Sequence, residues 1–340
     1  MSLSDLESIA TAMVAKDKGL LAADESTSTI GKRFAKIGLE STAEHRRNYR
    51  QMLFATPGVA QWISGVILYD ETIRQQTQAG VPFPAYLAGL GIIPGIKVDT
   101  GAKPLAGFPG ETITEGLDGL HERLAEYYGL GARFAKWRAV IDIGAGIPTR
   151  FAIEANAHAL ARYAALCQEQ NIVPIVEPEV LMDGAHTLER CEEITSIVLG
   201  EVFGQLAAHR VHLEGIILKP NMIIAGKKSP VQSRPEQVAA ATLRVLRRCV
   251  PAAVPGIMFL SGGQSAADAT LHLSLMNGAG PLPWQLSFSY GRALQDEALS
   301  AWGGKPGNLA AGEQAFHKWA RLNGLARSGA YRPGAELRTA

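Results

Sequence analysis

Lys219 lies in the run Ile216-Ile217-Leu218-Lys219-Pro220-Asn221, where an apolar stretch of strand length delivers one amine to its end and Pro220 removes the next ladder donor. An amine held partly out of water near another cation such as Lys136 loses its proton more readily, and the neutral form adds to a ketone to give an iminium ion. The iminium is an electron sink. It lets an adjacent carbon-carbon bond break without a metal, provided that carboxylates nearby move the protons. Glu177, Glu179 and Asp24 are available for that. Taken singly, Lys219 reads more readily as a snorkelling lysine at a strand end. Its neighbours argue otherwise: Lys136 and Arg138 flank Trp137, Glu177 and Glu179 flank Pro178, and Lys97 and Asp99 flank Val98, so each pair shares one face of an extended chain. Charge is depleted in buried strands, so charge recurring at the same end of several strands implies a polar pocket capping an apolar barrel.

A second set of residues suits phosphate. In Leu260-Ser261-Gly262-Gly263-Gln264-Ser265 the glycines let backbone N–H groups approach an anion, and Ser265 can cap the following helix. Ser289-Tyr290-Gly291-Arg292 follows the next apolar run and adds an arginine able to grip the same phosphate through two parallel bonds. Lys97, Arg33, Ser26 and Thr29, with Lys136 and Arg138 nearby, form a second anion-binding set. Two separated sites suit a bisphosphate.

The elements that must position these residues are short apolar runs alternating with longer amphipathic stretches, the pattern of parallel β/α units. The strand candidates are 19–24, 65–70, 93–99, 134–140, 173–179, 215–221, 256–262 and 286–290. Spaced roughly 30 to 45 residues apart, they predict an α/β fold with a (β/α)8 TIM barrel whose active site lies at the C-terminal ends of the strands. Ser4 with Glu7, Ser233 with Glu236, and Ser265 with Asp268 are expected to open helices, and Gly278 to stop one in a left-handed conformation. We expect a single domain over 1–340, with an N-terminal helix over about 1–18, helices from Arg292 to Trp302 and from Ala310 to Leu322, and a mobile tail over about 330–340.

The bulk properties narrow the partners. The 340 residues are 47% hydrophobic and 19% charged with a formal net charge of +1, so there is material for a large core but no broad basic field for nucleic acid or an anionic membrane. No apolar run approaches the ~18 residues of a membrane span, and Asp5 and Glu7 without a basic stretch do not suit a secretory signal. Cys167, Cys191 and Cys249 have no C-x-x-C spacing and read as reduced core residues of a cytoplasmic protein. Metal-dependent hydrolysis or aldol chemistry would need convergent ligands at strand ends; His209 and His212 precede their strand and read as helix-end or loop residues. The expected ligand is a small sugar phosphate, with no metal and no cofactor beyond a covalent adduct on Lys219.

With these motifs in place the sequence closely resembles the class I fructose-bisphosphate aldolases. The resemblance is carried by Leu21-Ala22-Ala23-Asp24-Glu25-Ser26-Thr27, Gly95-Ile96-Lys97-Val98-Asp99, Ala135-Lys136-Trp137-Arg138, Val176-Glu177-Pro178-Glu179, Leu218-Lys219-Pro220-Asn221, Leu260-Ser261-Gly262-Gly263-Gln264-Ser265 and Ser289-Tyr290-Gly291-Arg292-Ala293-Leu294. It implies reversible cleavage of fructose 1,6-bisphosphate to dihydroxyacetone phosphate and glyceraldehyde 3-phosphate, with Lys219 as the Schiff-base lysine and Glu177 as the main proton-transfer residue. It further implies that Asp24 takes the C4 hydroxyl proton, that Lys136 assists carbinolamine chemistry and that Glu179 supports the network. Ser261, Gly262, Gly263, Ser289 and Arg292 would hold the C1 phosphate, Gly291 is a further substrate-binding position, Arg33 and Lys97 would contact the rest of the substrate, and Arg46 is a weaker candidate. A homotetramer is implied by the resemblance alone. Sedoheptulose bisphosphate is an alternative substrate, and an idle binding barrel is a third reading, disfavoured by the joint presence of Asp24, Lys136, Glu177 and Lys219. Two departures stand out: many animal and plant members end in a tyrosine that folds over the site, whereas here Tyr331 is the last tyrosine, and Ser28-Thr29 replaces the commoner Gly-Ser.

Overall fold

The computed structural model describes residues 3–335. Eight parallel strands close into a barrel: β1 (Gly19–Ala22), β2 (Ile63–Leu68), β3 (Ile93–Lys97), β6 (Phe134–Ile141), β7 (Val173–Val180), β8 (Ile217–Leu218), β9 (Gly256–Phe259) and β10 (Gln285–Tyr290). β4 (Gly101–Pro104) and β5 (Thr112–Glu115) form a separate antiparallel hairpin after β3. β1 pairs with both β2 and β10, which closes the ring, and β3 faces β9 across it. The predicted (β/α)8 architecture is therefore present, with all eight strand candidates in it.

Two cores hold it together. Inside the barrel Leu20, Ile67, Phe134, Val173, Ile175, Ile217 and Met258 pack with Leu6, Ala10 and Met13 of the N-terminal helix Leu3–Met13, which plugs the bottom. Gly95 is required here: a Cβ at this position would stand 2.2 Å from the Phe134 ring, so the aromatic fills the interior only because β3 presents no side chain there. Outside the strands a larger core packs them against the helices through residues such as Trp137, Tyr163 and Phe288. Among the described residues no helix is long and apolar enough to cross a membrane.

Several boundaries differ from expectation. Ser4 lies inside the first helix instead of capping it, and Glu7 pairs with His212 at 2.8 Å. Arg234, not Ser233, is the N-cap of Pro235–Cys249; its N–H donates to the Gln237 side chain at 2.9 Å, and Pro235 sits in the first turn where no N–H is needed. Ser265 does cap Ala266–Asn277, accepting from the Asp268 N–H at 3.0 Å. Gly278 ends that helix in the right-handed region, not the left-handed one. The glycine required at this junction is Gly329, where a Cβ would lie 3.1 Å from the Gly278 nitrogen. The strand around Lys219 is reduced to two residues, because Leu213–Gly215 forms a 3-10 turn and Pro220 cannot extend the ladder. Of the expected mobile tail, Tyr331 is buried and its carbonyl accepts the Ser274 hydroxyl at 3.1 Å; residues 336–340 lie outside the described residues.

Candidate active site

At the C-terminal mouth of the barrel is a cavity of about 350 Å³. Every strand-end residue singled out for chemistry lines it: Asp24 after β1, Lys97 on β3, Lys136 and Arg138 on β6, Glu177 and Glu179 on β7, and Lys219 after β8. The flanking charges share a face as the strand period requires, and parallel pairing sets Arg138 opposite Glu177.

Lys136 is the hub. Its Nζ lies 2.8 Å from Asp24 Oδ2, 3.7 Å from Glu177 Oε2 and 3.8 Å from Asp99 Oδ2. Burial disfavours its ammonium ion, but Asp24, Glu177 and Asp99 outweigh burial and raise its pKa above the ordinary lysine value. Lys136 is therefore fixed as a cation. Burial likewise opposes the Asp24 carboxylate, yet Lys136, Lys219 and Lys97 pull its pKa down to about 2. Glu177 behaves in the opposite sense: burial raises its pKa, and the nearby Lys219 and Lys136 offset this only in part. Lys219 Nζ stands 3.3 Å from Glu177 Oε1, its one carboxylate contact among the described residues. Two carboxylates in one pocket are thus poised differently, Asp24 ionised and Glu177 the readier to hold a proton, beside an amine with fewer anionic contacts than Lys136.

Surrounding groups fix these positions. Asn221 accepts the Val180 N–H at 2.9 Å and donates to Thr195 at 3.2 Å, tying the segment after Lys219 to the end of β7. The loop carrying Asp24 is held by Arg50, whose guanidinium donates to the Ala23 carbonyl at 3.1 Å and to the Glu25 carbonyl at 2.9 Å. Glu25 in turn pairs with Arg33 at 2.6 Å and Arg50 at 3.2 Å. Asp99 binds Lys97 at 3.0 Å and accepts the backbone N–H groups of Gly101 and Arg138. The sequence places Asp99 among the pocket charges without giving it a role, and Glu25 and Arg50 are not candidates from it. Asp99 is signalled by its spacing from Lys97 and Glu25 by its adjacency to Asp24, but nothing in a run of polar helical residues marks Arg50 as buried.

The anion-binding candidates separate by their partners. Six cations and five carboxylates line the cavity. Arg33, Lys97, Lys136, Arg138 and Lys219 each contact a carboxylate, Arg138 through Glu179. Arg292 has no carboxylate partner among the described residues, and the buried Ser289 hydroxyl beside it makes no hydrogen bond. Ser261, Gly262 and Gly291 complete that wall, while Gly263 stands just outside the lining, where a Cβ would meet an Arg292 nitrogen at 3.0 Å. An uncompensated arginine, a free hydroxyl and a glycine turn together suit an anion. Ser26 and Thr29 also reach the cavity, their hydroxyls 3.1 Å apart at the start of the helix Thr27–Ala35 that Ser26 caps. Arg46 does not: its guanidinium is held by Glu71 at 2.5 and 2.8 Å, outside the lining. His209 Nδ1–H donates to the Gln205 carbonyl, and His212 lies between Glu7 and Glu214, both away from the mouth.

Comparison with known proteins agrees with this geometry. The family model for fructose-bisphosphate aldolase class-I matches residues 5–340. A probable fructose-bisphosphate aldolase class 1 of Xanthomonas campestris pv. campestris is 58% identical, over 98% of this chain and all of its own. The muscle-type fructose-bisphosphate aldolase of Lethenteron camtschaticum is 54% identical, over 97% of this chain and 91% of its own. Among solved structures, the fructose-bisphosphate aldolase of Plasmodium falciparum, crystallised with TRAP and a small-molecule inhibitor, superposes with a TM-score of 0.96 at 49% identity, covering 97% of this chain and 96% of that one.

Proposed function

This chain belongs to the class I fructose-bisphosphate aldolases, and from that membership we propose that it works as a metal-independent lyase through a Schiff base on Lys219. The substrate is fructose 1,6-bisphosphate, cleaved in glycolysis and formed in gluconeogenesis. The observation that carries this reading is the unequal treatment of the two buried lysines: Lys136 is locked to Asp24 at 2.8 Å, whereas among the described residues the one carboxylate that Lys219 contacts is Glu177, at 3.3 Å.

The Lys219 amine adds to the C2 carbonyl, and loss of water, with protons relayed by Glu177, leaves an iminium ion. As electrons of the C3–C4 bond move into the iminium, Asp24 takes the C4 hydroxyl proton, glyceraldehyde 3-phosphate departs, and an enamine remains. Asp24 is a weak base, so it acts only once the iminium withdraws those electrons; the ammonium of Lys136 steadies it before the proton arrives. Protonation at C3 and attack of water at C2 then release dihydroxyacetone phosphate and restore the amine. Glu179 holds Arg138 beside this exchange. The C1 phosphate sits against Arg292, Ser289, Ser261, Gly262, Gly263 and Gly291, with Ser26, Thr29, Arg33 and Lys97 contacting the rest. The free thiols of Cys167, Cys191 and Cys249 suit the cytoplasm, and a homotetramer is part of the reading on family grounds.

The test is borohydride trapping with dihydroxyacetone phosphate in EDTA, followed by peptide mass spectrometry. The expected adduct is on the Lys219 peptide, with loss of cleavage activity. Absence of an adduct, or activity abolished by EDTA alone, would overturn the mechanism.

A further inference from the structure

The loop after β8 brings to the phosphate wall a lysine that none of the motifs above contains. Its backbone is fastened to the loop after β7: Gly226 N–H donates to the His186 carbonyl at 2.9 Å, Lys227 to Met182 at 2.7 Å and Lys228 to Gly184 at 3.0 Å. The two loops touch so closely that a Cβ on Gly226 would stand 2.2 Å from the Gly184 oxygen. Gln232 ties the loop from within, donating to Gly226 and Ser229. Thus anchored, Lys227 extends to the Gly262-Gly263 turn, where its Nζ lies 2.7 Å from the point a Gly263 Cβ would occupy. An Arg292 nitrogen lies 3.0 Å from that same point. Two cations therefore converge on one glycine. Arg292 has no carboxylate partner among the described residues, and Lys227 has only Asp183 at 2.9 Å, in a pair that is open to solvent on both sides. Such a pair contributes little and exchanges readily for a more highly charged anion.

We propose that Lys227 is a specificity-determining residue of the phosphate site: it leaves Asp183 and closes over the phosphate dianion already engaged by Arg292 and the Gly262-Gly263 backbone. The inference rests on the reading of that wall as the C1-phosphate site. It favours a dianionic phosphate over monoanionic or uncharged groups at this end of the ketose, since a second cation gains most where the anion carries more than one charge. Its contribution weakens with salt, because Lys227 is exposed.

Two substitutions separate this role from a structural one. If the Lys227–Asp183 pair only holds the loops together, Lys227→Met and Asp183→Asn break the same contact and act alike. If Lys227 binds phosphate, they act oppositely. Lys227→Met is expected to raise KM for fructose 1,6-bisphosphate and the inhibition constant of inorganic phosphate about three- to tenfold, with a smaller change in kcat. Asp183→Asn, which frees the lysine, is expected to lower both constants, and Lys227→Arg to stay near the parent. Unchanged constants in Lys227→Met, or parallel shifts in the two variants, would overturn the proposal. Borohydride trapping on Lys227→Met keeps the two levels apart: an adduct on Lys219 with unchanged constants sinks only the role of Lys227. Failure of the parent chain to trap removes the functional reading, and this proposal with it.

Discussion

Replacing Lys136 by methionine should destabilise the fold in a pH-dependent way. Its ammonium contacts three carboxylates, the buried Glu177 and Asp99 and the partly buried Asp24. Asp24 is held at about 2 against an ordinary 3.8, which corresponds to about 2 kcal/mol of stability. A depressed carboxylate contributes that stability above its unfolded pKa, and loses it as the pH falls through 3.8 towards 2. Without Lys136, burial dominates and the Asp24 pKa rises, so the folded variant must either bury an undercompensated charge or take up a proton. We expect a loss of about 3 kcal/mol near pH 8, because removing one partner from a buried pair leaves the other uncompensated. The loss should shrink towards about pH 5 as Asp24 protonates. Urea unfolding of parent, Lys136→Met, Asp24→Asn and the double variant measures this directly. Asp24→Asn should recover part of the loss, with a coupling of about 2 kcal/mol. A pH-independent loss, or strict additivity of the two changes, would refute the assignment of Lys136 as the hub.

Glu177→Gln should cut kcat by about 10²- to 10⁴-fold and erase the acidic limb of the pH–rate profile that the raised Glu177 pKa places above the usual carboxylate range; persistence of that limb would assign it elsewhere. Arg292→Ala should raise KM for the bisphosphate by about 10- to 100-fold, since a charge-assisted phosphate contact is lost and no ion pair is relieved; steady-state kinetics decide it. Gly95→Ala should destabilise by about 1–3 kcal/mol through overlap with the Phe134 ring, read from thermal or urea unfolding.

The barrel was legible because each strand is a short apolar run, and much of the site because charges begin where several of the runs end, as at Asp24, Lys136, Glu177 and Lys219. What lay beyond reach depended on neighbours distant in sequence. The hairpin β4–β5 has no alternation to announce it: Ala102, Lys103 and Pro104 are all exposed. Arg50 sits among Arg46, Arg47 and Asn48, a polar run that suggests a solvated face, yet it is fully buried because the Ala23 and Glu25 carbonyls supply acceptors for it. Arg46 was offered as a substrate contact, but a carboxylate two elements away, on Glu71, claims it. Lys227 is likewise invisible in sequence, since its direction is set by backbone pairing between two irregular loops.

Charge pairing also orders the two ends of the cavity. An anion arriving at Arg292 displaces no carboxylate of the described residues, whereas one arriving at Lys97 must compete with Asp99 at 3.0 Å. Arg292 follows β10 and Lys97 ends β3, with β1 and β2 between them in the ring, so these two cations stand apart around the mouth. On the proposed reading the uncompensated side holds the C1 phosphate, one carbon from the carbonyl that Lys219 attacks, and the strongest anchor is therefore where positional error would slow the chemistry most. The Lys97 side binds through a cation already satisfied, and its contacts can be exchanged at lower cost. A seven-carbon ketose bisphosphate matches the six-carbon one at the C1 end, so discrimination between them falls to Lys97, Ser26 and Thr29 rather than to Arg292.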